Sequence, residues 1–150
     1  MSKEQSTEAR RPWHLWLVGV LSVLWNSIAC LDFTMVQTRN VAYLEGAGFS
    51  AEQMDFFYSY PIWAVAIWGI AVWSAILGGA LLLAKRSLAA PAFLIGLITY
   101  TAAMLRQYGA TEFRTLFPET QYLVMSLVIF VLAVAQLYYA HKMRDKGVLS

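Results

Sequence analysis

Residues 60–86 read YPIWAVAIWGIAVWSAILGGALLLAKR, and no Asp, Glu, Lys or Arg occurs from Phe56 to Ala84. A helix rises about 1.5 Å per residue, so about 20 apolar residues cross a hydrocarbon core of roughly 30 Å. The run is long enough for that. It carries Pro61 where a first helical turn accepts proline, and it ends on Lys85-Arg86, a basic pair suited to the headgroup level. Three more uncharged stretches occur at 12–31, 87–105 and 120–141. The pattern predicts an all-α, four-transmembrane-helix, up-down bundle, with spans near 12–36, 60–84, 89–108 and 119–142.

Composition points the same way. The 150 residues are 59% hydrophobic and 13% charged, where soluble chains run near 45–50% and about 25%. This excludes a water-soluble globule, a nucleic-acid-binding domain and a disordered chain. Four spans leave one integral membrane domain, with a tail at 1–11, outer loops at 37–59 and 109–118, and a tail at 143–150. No soluble catalytic domain fits. Arg10-Arg11 and the apolar run behind them have the layout of a signal peptide. Trp25-Asn26 interrupts that run ahead of Cys30, so the segment is expected to remain as the first span. Cys30 is the only cysteine, which excludes an intrachain disulfide.

Basic residues assign the sides. Lys3, Arg10, Arg11, Lys85, Arg86, Lys142, Arg144 and Lys146 fall on one side, and only Arg39, Arg106 and Arg114 on the other. Short cytoplasmic segments are enriched in Lys and Arg, so both termini are expected inside. Trp13, Trp16, Tyr58, Tyr60, Trp63, Tyr108, Tyr122, Tyr138 and Tyr139 stand near span ends, where amphipathic rings favour the interface. In the first outer loop Ser50-Ala51-Glu52-Gln53 has the form of a capping box, and Met54, Phe56, Phe57 and Tyr58 follow. A short helix starting near 51 is expected there, preceded by a second short piece at Val41, Tyr43 and Leu44 with Gly46 and Gly48 as breaks; the two are expected to lie on the outer face or cap the bundle, as an anchored connector or as a lid.

Polar groups within spans carry the functional expectation, because they are costly in lipid. Asn26 and Asp32 lie about 20 Å and about 28 Å from Trp13 along the first span. At 100° per residue they point about 120° apart, so a single pocket is not expected to use both. Arg106 lies at a depth similar to Asp32 and is its candidate partner. Asp32, Arg106 and Asn26 form the candidate polar or gating site. Gln136 is expected to turn inward. Ala71, Ala75 and Gly79 make a small-residue stripe on the second span, and Gly96 and Ala103 belong to a similar stripe on the third. The two stripes are expected to meet. Trp68 and Trp73 are read as lipid-facing or packing bulk, with an aromatic substrate platform as the lesser alternative.

His14 and His141 close the inner ends of the first and last spans, where a bis-His haem or metal site is one alternative to two interfacial histidines; no third ligand accompanies them. No HExxH, GxGxxG, P-loop or GxSxG pattern is present. No catalytic residue, metal ligand or cofactor is assigned, and the chain is read as a non-enzyme.

The series Leu24-Trp25-Asn26, Asp32-Phe33-Thr34-Met35, Tyr43-Leu44, Tyr60-Pro61-Ile62-Trp63, Trp68, Val72-Trp73 and Gly78 resembles a family of small uncharacterised four-helix bacterial inner-membrane proteins whose members often carry the label "sugar transporter". The resemblance covers about 12–87 and continues beyond it in topology only. Phe33 stands where the family pattern has Tyr, which removes a hydroxyl beside Asp32. The resemblance implies a multi-pass protein of the bacterial cytoplasmic membrane. Taken together, the expectation is a small transporter-like protein for a small solute, in contact with the lipid bilayer and forming a homo-oligomer or joining another membrane protein. The alternatives are a non-transporting accessory, assembly or stress-response protein, and a haem- or quinone-binding redox subunit.

Overall fold

A computed structural model describes residues 12–117 and 120–150; the tail at 1–11 lies outside them. Every regular element among the described residues is helical: α1 (Trp13–Gln37), α2 (Val41–Gly46), α3 (Ala51–Tyr58), α4 (Ile62–Leu83), α5 (Ala89–Gly109), α6 (Thr111–Leu116) and α7 (Thr120–Asp145). Helices α1, α4, α5 and α7 are each long and apolar enough to cross a membrane. Their outward surfaces carry large apolar side chains such as Leu21, Ile28, Trp73, Ile98, Leu105 and Val131. Such exposure would be a liability in water and is expected of lipid-facing helices.

Small residues decide which spans touch. Helix α4 packs most extensively on α5 and next on α1, and α5 also packs on α7. A Cβ on Gly96 would stand 3.3 Å from the Ala71 carbonyl oxygen and 3.4 Å from the Ala75 nitrogen, so the α4–α5 backbones approach as closely as a glycine allows. At Gly78 the ring of Phe93 fills the space a side chain would need. Gly79 departs from the expected seam: its Cβ position faces Val23 and Ser22 of α1, not α5. Positions four apart on a straight helix drift about 40°, enough to carry the stripe from one neighbour to the next. Gly19 of α1 lies on the same α1–α4 contact, against Leu83.

The bundle has two unlike ends. At the turn end, Leu15, Leu82, Ala89, Ala90, Phe93, Ala140, Met143 and Leu149 form one buried cluster. The tail predicted at 143–150 belongs to it. Helix α7 continues to Asp145, and Gly147, at φ +69, ends it. The Val148 nitrogen donates to the Met143 oxygen at 3.0 Å and the Gly147 nitrogen to the Arg144 oxygen at 2.9 Å, a Schellman closure. Ser150 then exchanges backbone bonds with the α4–α5 turn, receiving from the Ser87 nitrogen at 2.9 Å and donating to the Lys85 oxygen at 2.8 Å. Leu149 is thereby held in the cluster.

At the loop end the predicted capping box is present: the Ser50 hydroxyl accepts from the Gln53 nitrogen and the Gln53 side chain accepts from the Ser50 nitrogen. The second outer loop, read as plain loop, contains α6. Phe56 of α3 meets Phe113 and Phe117 beside it, and Phe113 is 2% exposed. The Gln53 Nε2 donates to the Leu116 oxygen at 2.9 Å and ties the two short helices together. The result is an aromatic cap over this end.

Candidate functional site

Between the cap and the turn-end cluster the four long helices enclose a cavity of about 270 Å³. It exists because α1 and α7 do not pack along each other, while α4 and α5 hold the opposite wall. The two outer helices are joined instead by polar contacts. The Tyr139 hydroxyl and His14 Nδ1 lie 2.5 Å apart near the turn end. Deeper in the bundle the Asn26 Nδ2 donates to Gln136 Oε1 at 3.4 Å. Asn26 is only 7% exposed, and the same amide also donates to the Ser22 oxygen at 2.8 Å and the Ala75 oxygen at 3.4 Å. Gln136 does turn inward, and the two amides form the polar floor of the cavity.

The wall above the floor is apolar and aromatic, built from Trp25, Trp68, Phe93, Leu97, Ile129 and small residues such as Ala71, Ala75, Gly96 and Ala133. Of the readings for Trp68, packing and cavity lining hold: it borders the cavity and its ring meets Phe33 edge-on at 5.1 Å. Trp73 is 54% exposed, as read from the sequence. Ala103 also borders the cavity. Tyr100 closes the α5–α7 side, its hydroxyl donating to the Ser126 oxygen at 2.9 Å.

The rim lies at the loop end. Asp32, Arg106 and Gln107 border it, under Phe57 and Tyr60. Asn26 and Asp32 thus share one cavity, contrary to the expectation from their angular separation. Trp25 and Ala29 fall between them around the helix, and all four line the space. The cavity is elongated and wraps about a third of the α1 circumference, which a single polar point would not do.

Asp32 and Arg106 make no ion pair; among the described residues the one ion pair joins Arg144 and Asp145. The Asp32 Oδ1 accepts from the Tyr43 hydroxyl at 2.6 Å. That bond to a carboxylate, with some desolvation, raises the Tyr43 phenol above its ordinary value of 10.0. Arg106 is placed differently. Its guanidinium carbon sits 4.2 Å from the centre of the Tyr60 ring and 5.3 Å from that of Trp63. Both distances suit cation–π contact. Its Nη1 is buried and has no hydrogen-bond partner.

The two histidines have separate partners: His14 meets Tyr139, and the Arg144 Nη2 lies 3.1 Å from the His141 ring nitrogens. No group of three or more metal-binding side chains occurs among the described residues.

Reading the sequence missed α6, with Phe113 and Phe117 in the cap, and the aromatic wall of Trp25, Trp68 and Phe93. For the cap a signal existed: Tyr108, Phe113 and Phe117 place three aromatics within ten residues of a supposed linker. Comparison with known protein families, with curated proteins and with solved structures finds no match to this chain.

Proposed function

We propose that this chain is a multi-pass membrane protein that binds a small, mainly apolar molecule inside its bundle, with both termini on the cytoplasmic side. One observation carries the reading: a cavity of about 270 Å³ bounded by all four long helices and lined mostly by aromatic and aliphatic side chains, with polar groups at its two ends. Ligand sites generally have this make-up, at volumes from about 300 Å³ upward, so the occupant is small. A sugar would bring a hydroxyl on nearly every carbon into a wall with few partners, and each unsatisfied one would be costly. The excess of Lys and Arg at the turn end supports the topology. The resemblance of residues 12–87 to bacterial inner-membrane proteins supports the location.

Binding is favoured over transport because the cavity stops at the turn-end cluster. A transport cycle would have to part Leu15, Leu82, Phe93, Ala140 and Met143, which lie packed together with the docked Leu149. This supports the accessory reading of the sequence more than the carrier reading.

A photoreactive decanol bearing a diazirine tests the proposal in the purified protein. Saturable labelling is expected on Trp25, Trp68 and Tyr100, competed by unlabelled decanol and lost when Ala71→Phe and Ala133→Phe fill the cavity. Labelling of Trp73, which faces outward, should stay unsaturable and survive both substitutions. Unsaturable labelling at all of these residues would sink the proposal.

A further inference from the structure

From the rim of the cavity we infer that the occupant carries an anionic head, a carboxylate or phosphate, and that Arg106 binds it; this rests on the cavity being the binding site proposed above. The cavity has two polar poles of unlike character. The floor is neutral and already occupied with itself: Asn26 donates to Ser22, Ala75 and Gln136. At the rim Arg106 holds a full positive charge, and its buried Nη1 has nothing to donate to. Buried donors on a charged group are rarely left open, because the missing bond costs more than a neutral one. Arg106 also borders the cavity, so a ligand acceptor placed there meets the charged guanidinium.

The other rim charge does not cancel it. Asp32 is exposed, its Oδ1 already receives the Tyr43 hydroxyl, and no ion pair links it to Arg106. Tyr60 and Trp63 set their rings against the guanidinium without supplying a negative charge to neutralise it. Arginine meets carboxylate and phosphate in a fork geometry.

The length fits an amphiphile with one apolar chain. Asn26 stands level with Ala75, which stands level with Gly96. Arg106 lies ten residues further along α5, about 15 Å higher. A head at Arg106 would run its apolar body past Trp63, Trp68 and Tyr100 toward the amide floor. At about 270 Å³ the space suits one chain or one ring system, not a two-chain phospholipid.

Competition against the photoreactive decanol reads this directly. Decanoate and decyl phosphate should displace the label at about tenfold lower concentration than decanol, the gain expected of one charge-assisted bond. Decyltrimethylammonium should be no better than decanol. In Arg106→Gln the anionic advantage should vanish while decanol still competes, which shows the pocket intact; Arg106→Lys should restore part of it. Nanodiscs of phosphatidylglycerol and of phosphatidylcholine separate a free amphiphile from bilayer lipid. Equal labelling in both supports the free amphiphile, and loss of labelling in phosphatidylglycerol alone overturns that assignment. Equal potency of decanoate and decanol, or an anionic preference that survives Arg106→Gln, overturns the role of Arg106. If no amphiphile competes, decanol included, the pocket reading fails and this inference falls with it.

Discussion

The floor of the cavity rests on a side-chain contact whose strength the geometry bounds. Asn26 and Gln136 are the one side-chain hydrogen bond joining α1 to α7 deep in the bundle, at 3.4 Å. Ordinary N–H···O bonds fall near 2.7–3.2 Å, so this one is long. Between membrane helices such bonds average about 0.6 kcal/mol and reach about 1.7 kcal/mol at most. A double-mutant cycle with Asn26→Leu and Gln136→Leu should therefore give a coupling of about 0.5 kcal/mol, a factor of about two in the folding equilibrium. The single substitutions should be unequal. Asn26→Leu also removes the bond across to Ala75, and should cost about 1 kcal/mol. Gln136→Leu leaves the Asn26 amide bonded to Ser22 at 2.8 Å, so it should cost less. Unfolding equilibria in bicelles, read by steric trapping, resolve differences of this size. A coupling of zero within error would mean the two amides do not meet and the floor is open. A coupling well above about 1.7 kcal/mol would mean a shorter, drier bond than the one described.

Two further substitutions test the packing and the rim. Gly79→Leu should destabilise the bundle by about 1–3 kcal/mol, because even a Cβ there lies 3.2 Å from the Val23 backbone nitrogen. Gly46→Ala, with nothing within 4 Å, should be neutral or slightly stabilising in the same bicelle assay, and equal losses at the two sites would contradict the close α1–α4 approach. The Tyr43 phenol is raised chiefly by its hydrogen bond to Asp32. Its contribution is therefore intact below the ordinary value of 10.0 and disappears as pH climbs through the raised one. The phenolate absorbance lost on Tyr43→Phe should move to lower pH in an Asp32→Asn background, and an unmoved titration would show that the bond is not made.

How much of this was legible beforehand follows from what lipid does to sequence signals. The spans were readable because a charge inside hydrocarbon is expensive, so Lys85-Arg86 and Arg106 bound runs apolar enough to cross a membrane. The capping box at Ser50 was readable because it is a local bond pattern with a fixed spacing. Rotation of each span was not readable from apolar residues, since lipid is as apolar as a bundle interior and rewards neither face. Trp68 and Trp73 are the same residue type on one helix, yet one lines the cavity and the other faces outward. Only polar and small residues break that symmetry. Ser22, Asn26 and Cys30 recur along the buried face of α1, and Ser126 and Gln136 mark the inward face of α7. Gly96 and Gly78 do the same for the α4–α5 wall through the atoms that fill the space beside them. Asn26 and Asp32 point apart around α1 yet border one space, because a pocket is not a point. Here the space runs along the helices from an amide floor to a cationic rim, and its shape comes from α1 and α7 meeting through a few polar side chains instead of a packed seam. The gap between α1 and α7 is thus spanned by a few polar contacts, while the α4–α5 wall is held by backbone approach at Gly96 and by Phe93 against Gly78.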